Sequence, residues 1–254
     1  MFWQITNPSI PDNYTQLTEI LLQNRNIKDV DSFLHPISPF DLTPAQVGIS
    51  EVELTKALDR LTQAREKQEI VVVFGDYDAD GICATAVLWE ALYACGIQAT
   101  PFIPHRERHG YGLSSRAVAE LLASPQRPSL VVTVDNGIVA QPAITELESA
   151  GIDVIVTDHH QTEESGYPIS CAVVHTTQLC GTTVAWFLAR AVRETLGMVH
   201  HSLDDSHGLD LATLATVADQ VSLQGANRSF VWFGLPHLQK TSRLGIRELM
   251  QLAG

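Results

Sequence analysis

The sequence predicts an α/β protein built on a doubly wound, mainly parallel sheet, with a helical N-terminal lead-in and a helical C-terminal segment. Two observations predict this class. Short runs rich in β-branched residues alternate with segments of helical periodicity, which is the pattern of a parallel sheet with right-handed crossovers. The runs at 70–74, 131–134 and 154–157 are also bounded by Gly and Asp, as expected of strands buried on both faces.

The first 68 residues predict a helical lead-in with irregular stretches. An apolar stretch at 17–22 and a short helix at 30–34, ended by Pro36, come first. Apolar residues then recur at helical spacing from Ser50 to about residue 68, and Ser50 is a suitable helix cap. We therefore separate this lead-in from the region that follows.

The remaining residues, 69–254, predict one domain with two parts. An α/β core is expected over 69–175, with strands at 70–74, 97–103, 130–134, 152–157 and 172–174 and helices at 84–92, 114–122 and 139–150. A helical segment is expected over 181–254, with helices at 184–196, 209–221 and 243–254.

Composition limits the partners that this chain can have. It has 254 residues, 45% of them hydrophobic, and a net charge of −13 from 16 basic and 29 acidic residues. No apolar run reaches the roughly 18 residues that cross a bilayer, so a membrane is not an expected partner. The chain lacks the basic excess typical of nucleic-acid binders, and we expect it to bind long DNA weakly by itself. Four cysteines without a C-x-x-C pair, and an N-terminus unlike a secretory signal, indicate reduced thiols and a cytoplasmic location.

Acidic and histidine side chains follow three of the predicted strands. The motifs are Asp76-Tyr77-Asp78-Ala79-Asp80-Gly81, Asp135-Asn136-Gly137 and Asp158-His159-His160. Because ligands of open α/β sheets bind at the carboxyl ends of the strands, we expect these side chains to meet in one crevice. Carboxylates mixed with imidazole suit Mg²⁺ or Mn²⁺ better than a zinc site built from thiolates. The pattern therefore predicts a metal-dependent phosphoester hydrolase.

Each motif alone also has a simpler structural interpretation. The three carboxylates of 76–80 would repel one another without a cation, but they also suit a solvated turn that caps the next helix. Asn136-Gly137 is a common turn, and the His159-His160 pair can be an ordinary surface feature. Histidines outside the motifs, among them His175 and His207, are predicted to lie on the surface.

Two further groups have alternative interpretations. Asp219 interrupts the apolar helical pattern of 211–218, where a buried unpaired carboxylate is costly, so it either faces solvent or reaches the metal site. Arg106 and Arg108 lie in a loop after the second strand, where they either bind a phosphate or form a basic surface. The residues alone leave both pairs of alternatives open.

Taken together, the motifs resemble the DHH phosphoesterase superfamily, and most closely its RecJ branch of single-strand-specific 5′→3′ exonucleases. The segments that carry the resemblance are Gly75–Gly81, Gly110–Leu113, Val134–Gly137, Asp158–His160, Ala218-Asp219 and, in the lead-in, Leu21–Ile27 and Phe33–Pro36. The resemblance implies a pair of Mn²⁺ or Mg²⁺ ions, held by Asp76, Asp78, Asp80, Asp135, His159 and Asp219. It also implies that Asp135 bridges the ions and that Arg106 binds the terminal phosphate. His160, with Asp158 as the second catalytic residue, would contact the scissile phosphate.

The resemblance implies an activity and partners as well. Residues 69–254 would be a DHH catalytic domain that hydrolyses single-stranded DNA with two metal ions, in DNA repair and recombination. Proteins of this branch continue into a DHH-associated substrate-binding domain and often an OB-fold, and this sequence contains neither. We therefore expect a truncated gene, a fragment, or a catalytic half that needs a partner chain with the missing domain. Its expected substrates are single-stranded DNA or short oligonucleotides. Two alternatives remain: a phosphodiesterase of short oligonucleotides or cyclic dinucleotides, and a non-catalytic scaffold.

Overall fold

A five-stranded parallel sheet forms the centre of the protein, which is described by a computed structural model for residues 10–164, 166–200 and 203–254. The first nine residues of the predicted lead-in lie outside the described residues. The strands are β1 (Ile70–Phe74), β2 (Gln98–Phe102), β3 (Leu130–Val134), β4 (Asp153–Asp158) and β5 (Ala172–His175). They lie in the order β2-β1-β3-β4-β5, and each neighbouring pair is parallel. The prediction of a doubly wound parallel sheet is confirmed.

Helices precede and surround this sheet in the described part of the chain. They are α1 (Tyr14–Asn24), α2 (Val30–Leu34), α3 (Glu51–Glu66), α4 (Ala79–Ala94), α5 (Arg106–His109), α6 (Ser115–Ala123), α7 (Gln141–Ser149), α8 (Gly181–Leu196), α9 (Leu209–Ala218), α10 (Gly225–Gln239) and α11 (Leu244–Ala253). Two 3₁₀ turns, Pro39–Asp41 and Ala45–Val47, lie between α2 and α3. Among the described residues, no helix combines the length and the apolar character that a membrane span requires.

Both faces of the sheet are covered, which explains why its strands are continuous apolar runs. In β1, Val71 and Val73 belong to one buried cluster, and Val72 and Phe74 belong to another. Successive side chains of a strand point to opposite faces, so these two clusters lie on the two sides of the sheet. The first cluster includes residues of α3, α4, α8 and α9, and the second includes residues of α6 and α7.

Capping decides where α4 begins. The helix begins at Ala79 rather than at the predicted Ala84, because the Asp78 side chain caps it. An Asp78 carboxylate oxygen accepts a hydrogen bond of 2.9 Å from the Gly81 N–H. Asp80 consequently lies in the first turn of the helix, where a negative charge is favourable.

The end of α9 also differs from the prediction. The helix ends at Ala218 rather than at Val221, because Gln220 adopts a left-handed backbone conformation with a φ of 58°. Asp219 therefore follows the helix directly and does not interrupt it. Its side chain is free to leave the helix axis at this point.

The strand order opens a crevice at the carboxyl ends of β1 and β3. These two strands are neighbours, while β2 lies on the far side of β1 and β4 lies on the far side of β3. The connections that leave β1 and β3 therefore run in opposite directions, and ligands of doubly wound sheets bind at such a switch point. Asp76 follows β1 across one glycine, and Asp135 follows β3 directly.

Candidate metal centre

Asp135 lies at the bottom of this crevice in an uncommon backbone conformation. Its φ is 61°, a left-handed value that few residues other than glycine adopt, and its side chain is almost completely buried. Its Oδ1 atom lies 3.1 Å from His159 Nε2, yet neither atom has a hydrogen-bond partner. Burial, together with the nearby Asp80 and Asp78 carboxylates, raises the pKa of the Asp135 carboxyl to about 10. Buried polar atoms are normally paired, and a cation that binds both this oxygen and this nitrogen would satisfy them.

Two more carboxylates converge on the same histidine nitrogen. His159 Nε2 lies 3.8 Å from Asp80 Oδ2 and 3.7 Å from Asp219 Oδ2. Burial and the Asp80 carboxylate raise the pKa of Asp219. We call His159, Asp80, Asp135 and Asp219 the His159 cluster. Asp219 thus reaches the candidate site, which was one of the two alternatives for this residue.

The amino end of α8 supports two members of the His159 cluster. The N–H groups of Gly181 and Thr182 each donate a hydrogen bond of 2.7 Å to a different oxygen of Asp80. This arrangement is favourable because a helix N-terminus carries a partial positive charge. A Cβ atom on Gly181 would lie 2.4 Å from Asp135 Oδ1, so only glycine lets the helix approach this closely.

Asp158 organises the two histidines that follow it. One of its oxygens accepts hydrogen bonds from the His159 N–H, the His160 N–H and His160 Nδ1, and the other accepts one from the Ile138 N–H. Burial opposes ionisation of Asp158, but the hydrogen bonds from His160 and Ile138 outweigh it and hold the pKa of Asp158 below its ordinary value. The hydrogen bond between His160 Nδ1 and Asp158 also raises the pKa of His160. His160 Nε2 is directed to the Tyr111 hydroxyl, 3.3 Å away.

The arrangement offers two sets of ligand atoms for cations. Asp135, His159 and His160 form one set, and Asp80, His159 and Asp219 form the other, with the ligand atoms of each set within 4.8 Å of one another. Carboxylate oxygens and imidazole nitrogens suit Mg²⁺ or Mn²⁺. The residues present therefore fit a hard divalent cation.

Comparison with known proteins places this architecture in a family. The model of the DHH family, N-terminal domain, matches residues 70–216, which include the sheet and all of the His159 cluster except Asp219. The chain belongs to the DHH family.

Relatives within this family are similar to nearly the whole chain. The single-stranded-DNA-specific exonuclease RecJ of Bacillus subtilis is 35% identical over 280 aligned positions, which cover 100% of this chain and 33% of that protein. The enzyme of the same name from Thermus thermophilus is 37% identical over 221 positions, covering 84% of this chain and 32% of the relative. A crystal structure of Thermus thermophilus RecJ in complex with Mn²⁺ has a TM-score of 0.73 and 31% identity, and covers 94% of this chain and 34% of that one. The chain spans about a third of the length of the curated relatives it matches.

Two predicted ligands lie at the margin of this DHH-family site. Asp76 is buried, and its carboxylate accepts a hydrogen bond of 2.7 Å from the Tyr77 N–H. Burial raises the pKa of Asp76. Asp78 is exposed and caps α4. Neither residue belongs to the two sets of converging ligand atoms, so their assignment as ligands stays a prediction.

The predicted phosphate contact, Arg106, lies on the outer side of the acidic loop. It is exposed, and its guanidinium lies 5.5 Å from the centre of the Tyr77 ring. The Tyr77 ring in turn makes an edge contact with Tyr111, which contacts His160. Arg106 is thus linked to the DHH motif (Asp158-His159-His160) through two aromatic rings. Its role as a phosphate contact stays a prediction.

The sequence-based prediction of surface positions is wrong for two histidines. His175 is 7% exposed and lies 2.7 Å from the His160 carbonyl oxygen, and His207 is packed against Glu90. His175 ends a β-branched run, Ala172–Val174, just as the acidic motifs follow theirs. That strand-end position was the signal that could have identified it.

Proposed function

We propose that this chain contains the metal-binding catalytic part of a RecJ-like nuclease, which hydrolyses single-stranded DNA from its 5′ end with two Mn²⁺ or Mg²⁺ ions. The observation that carries the proposal is the His159 cluster. Three carboxylates lie within 4 Å of His159 Nε2, and that nitrogen and Asp135 Oδ1 are buried without hydrogen-bond partners. Similarity to proteins that are named single-stranded-DNA-specific exonucleases supports the choice of substrate.

The proposed ligands are Asp76, Asp78, Asp80, Asp135, His159 and Asp219. Bound divalent ions would activate a water molecule and stabilise the charge that develops on the phosphate. The protein's contribution is to bring these side chains together. To bind a cation, the carboxylates must be ionised and the coordinating imidazole nitrogen must be unprotonated, since both are then electron donors. At Asp80, two N–H groups of the α8 N-terminus hold the carboxylate in position by hydrogen bonds.

His160 is the proposed contact to the scissile phosphate. Asp158 accepts a hydrogen bond from His160 Nδ1 and fixes the ring, so Nε2 is the atom that faces the open side of the site. The Asp158 carboxylate raises the pKa of His160, which favours the protonated ring that donates to a phosphate oxygen. Asp158 therefore acts through His160 and does not touch the substrate.

Groups outside the cluster would receive the strand. The exposed Arg106 guanidinium is the proposed partner of the terminal phosphate. The Tyr111 ring, 62% exposed, is a surface on which an unstacked base can pack, and this contact favours single strands over duplexes.

One observation favours a second candidate function. The net charge of −13 leaves few basic groups to follow a long phosphate backbone. A phosphodiesterase of short oligonucleotides or cyclic dinucleotides needs only the site itself. Alternatively, a partner chain with a substrate-binding domain would supply additional basic surface.

Hydrolysis of 5′-labelled single-stranded DNA tests the proposal. The chain is incubated with Mn²⁺ and either a long single strand or a dinucleotide, beside Asp135→Ala and the matched control Asp59→Ala, an exposed residue of α3. We expect metal-dependent release of mononucleotides that is lost in Asp135→Ala and kept in Asp59→Ala. Hydrolysis of the dinucleotide alone would favour the second candidate. Bound Mn²⁺ without hydrolysis of either substrate would contradict both activities for the chain by itself and indicate an intact site that needs a substrate-binding partner. Undetectable Mn²⁺ binding would indicate a non-catalytic scaffold.

A further inference from the structure

His175 occupies the carboxyl end of β5, directly beside the DHH motif. It pairs with Asp158 in the register of β4 and β5 and is 7% exposed. Its Nε2 atom lies 2.7 Å from the carbonyl oxygen of His160. A carbonyl oxygen can only accept, so Nε2 carries a hydrogen and donates it.

The second ring nitrogen of His175 has its own partner. The Tyr167 hydroxyl lies 3.3 Å from Nδ1, and the two rings meet edge to face with centroids 5.3 Å apart. When a neutral imidazole donates from Nε2, its Nδ1 accepts, so the tyrosine hydroxyl is the donor here. Tyr167 thus favours the tautomer that holds the His160 carbonyl. We call Tyr167, His175 and the His160 carbonyl oxygen the His175 brace.

The brace completes the fixation of a short segment that carries two functional side chains. Asp158 binds the N–H groups of His159 and His160, which fixes the segment from one side. The His175 brace binds the carbonyl group at the end of the same segment. The segment is thus held at both ends, and in this position His159 Nε2 lies 3.1 Å from Asp135 Oδ1.

We propose that His175 is a positioning residue of the metal centre, which sets the place of His159 and His160 by donating a hydrogen bond to the His160 carbonyl. This inference rests on the proposed function, because it requires that the His159 cluster binds a divalent ion. His175 touches neither the cluster nor the expected substrate. Its effect therefore passes through the backbone of the DHH motif, in the way that outer partners orient metal ligands elsewhere.

Two variants of similar length separate hydrogen bonding from packing. His175→Gln keeps an N–H donor at a comparable distance from the backbone, and His175→Met is a flexible apolar side chain without a donor. Mn²⁺ affinity is measured by the loss of the free-ion electron paramagnetic resonance signal. We expect His175→Met to bind Mn²⁺ about 10-fold to 100-fold more weakly, and His175→Gln to recover most of that loss.

Tyr167→Phe gives a second measurement that leaves the buried His175 ring in place. It removes only the hydroxyl that favours the tautomer, and its matched control is Tyr14→Phe at a position 88% exposed in α1. We expect Tyr167→Phe to weaken Mn²⁺ binding less than His175→Met does, and Tyr14→Phe to have no effect. If His175→Met does not fold, the comparison of Tyr167→Phe with Tyr14→Phe tests the inference instead: equal Mn²⁺ affinities in these two variants would contradict it.

The outcomes separate the inference from the proposed function. Wild-type Mn²⁺ affinity in His175→Met, or equal losses in His175→Met and His175→Gln, would overturn the role of the donor. A wild-type chain that binds Mn²⁺ but hydrolyses no DNA would contradict a nuclease activity of the chain by itself. The Mn²⁺ affinities of the variants would still test the role of His175. If the wild-type chain is active, kcat/KM of His175→Met should fall and that of His175→Gln should fall less, because the donor holds both His159 and the phosphate contact His160 in position.

Discussion

Asp135 is a buried carboxylate whose neighbours include two further carboxylates. Because burial and the charges of Asp80 and Asp78 raise the pKa of Asp135, its ionised form destabilises the metal-free protein. Asparagine keeps the size of the side chain and tolerates the left-handed backbone at this position. We expect Asp135→Asn to raise the free energy of unfolding in EDTA by roughly 0.5–2 kcal/mol. Urea denaturation measures this change, with Asp59→Asn as the surface control.

Mn²⁺ should make the wild-type chain more stable than Asp135→Asn, the reverse of the order in EDTA. A ligand at about 100 times its Kd adds about 2.7 kcal/mol to the stability of a protein that binds it only when folded. We expect this gain for the wild-type chain and for Asp59→Asn, but not for Asp135→Asn. An Asp135→Asn variant that is less stable than wild type in EDTA would show that the carboxylate is structurally required.

The metal-free protein should also lose stability as the pH rises. The raised pKa values of Asp135, Asp76 and Asp219 mean that the folded state holds protons that the unfolded chain releases. Their contribution is complete below the ordinary aspartate value of 3.8 and is lost as the pH rises through the folded values, to about 10 for Asp135. Asp158 has the opposite sign, since its lowered pKa adds stability above the ordinary value.

Thermal unfolding in EDTA and in Mn²⁺ tests this pH dependence. The contribution of Asp158 is already complete above the ordinary aspartate pKa, so only the raised carboxyls change stability at higher pH. We therefore expect Tm in EDTA to fall between about pH 5 and pH 8. The increase in Tm caused by Mn²⁺ should grow over the same range, because metal ligands must be deprotonated. A metal-free Tm that rises across this range would mean that the carboxylates find other partners.

The amino end of α8 is the helical element that the site depends on most closely. A Cβ on Gly181 would lie 2.4 Å from Asp135 Oδ1, whereas Gly245, in α11, has no heavy atom within 4 Å of such a Cβ. We expect Gly181→Ala to lower the free energy of unfolding by about 1–3 kcal/mol and to weaken Mn²⁺ binding, since either α8 or Asp135 must move. Gly245→Ala should be neutral or stabilising by up to about 1 kcal/mol. Urea denaturation and Mn²⁺ titration of both variants measure the contrast.

The elements differ in how far the sequence specifies them. The strand at 130–134 has the predicted bounds, because five apolar or β-branched residues buried on both faces leave little choice. The sequence also predicts that the carboxylates of 76–80 and Asp135 lie near one another, because the strand ends of a parallel sheet share one edge. Asp219 could not be placed this way, since its position depends on how α9 packs against α4 and α8. The contact of His175 with the DHH motif depends on the β4–β5 register, which no local pattern encodes.

At the scale of the whole molecule, charge should limit how the chain uses long substrates. With 16 basic and 29 acidic residues, it has few groups to neutralise phosphates beyond the site. We expect KM for a trinucleotide and for a strand of about thirty nucleotides to agree within about threefold, with a shallow salt dependence. Steady-state kinetics at two salt concentrations measure both. A KM that falls steeply with strand length would indicate a basic groove that the overall charge conceals.

The hydrogen bonds from α8 to Asp80 make the members of the His159 cluster unequal in structural importance. Asp80 connects the site to the start of a helix that packs along α4, so its loss removes a structural contact together with a proposed ligand. His159 and Asp219 make no comparable connection to the core. A lineage that abandoned catalysis could therefore discard His159 and Asp219 early while selection for folding still preserved Asp80. A solitary aspartate opposite Gly181 would remain in such descendants as a relic of the former site.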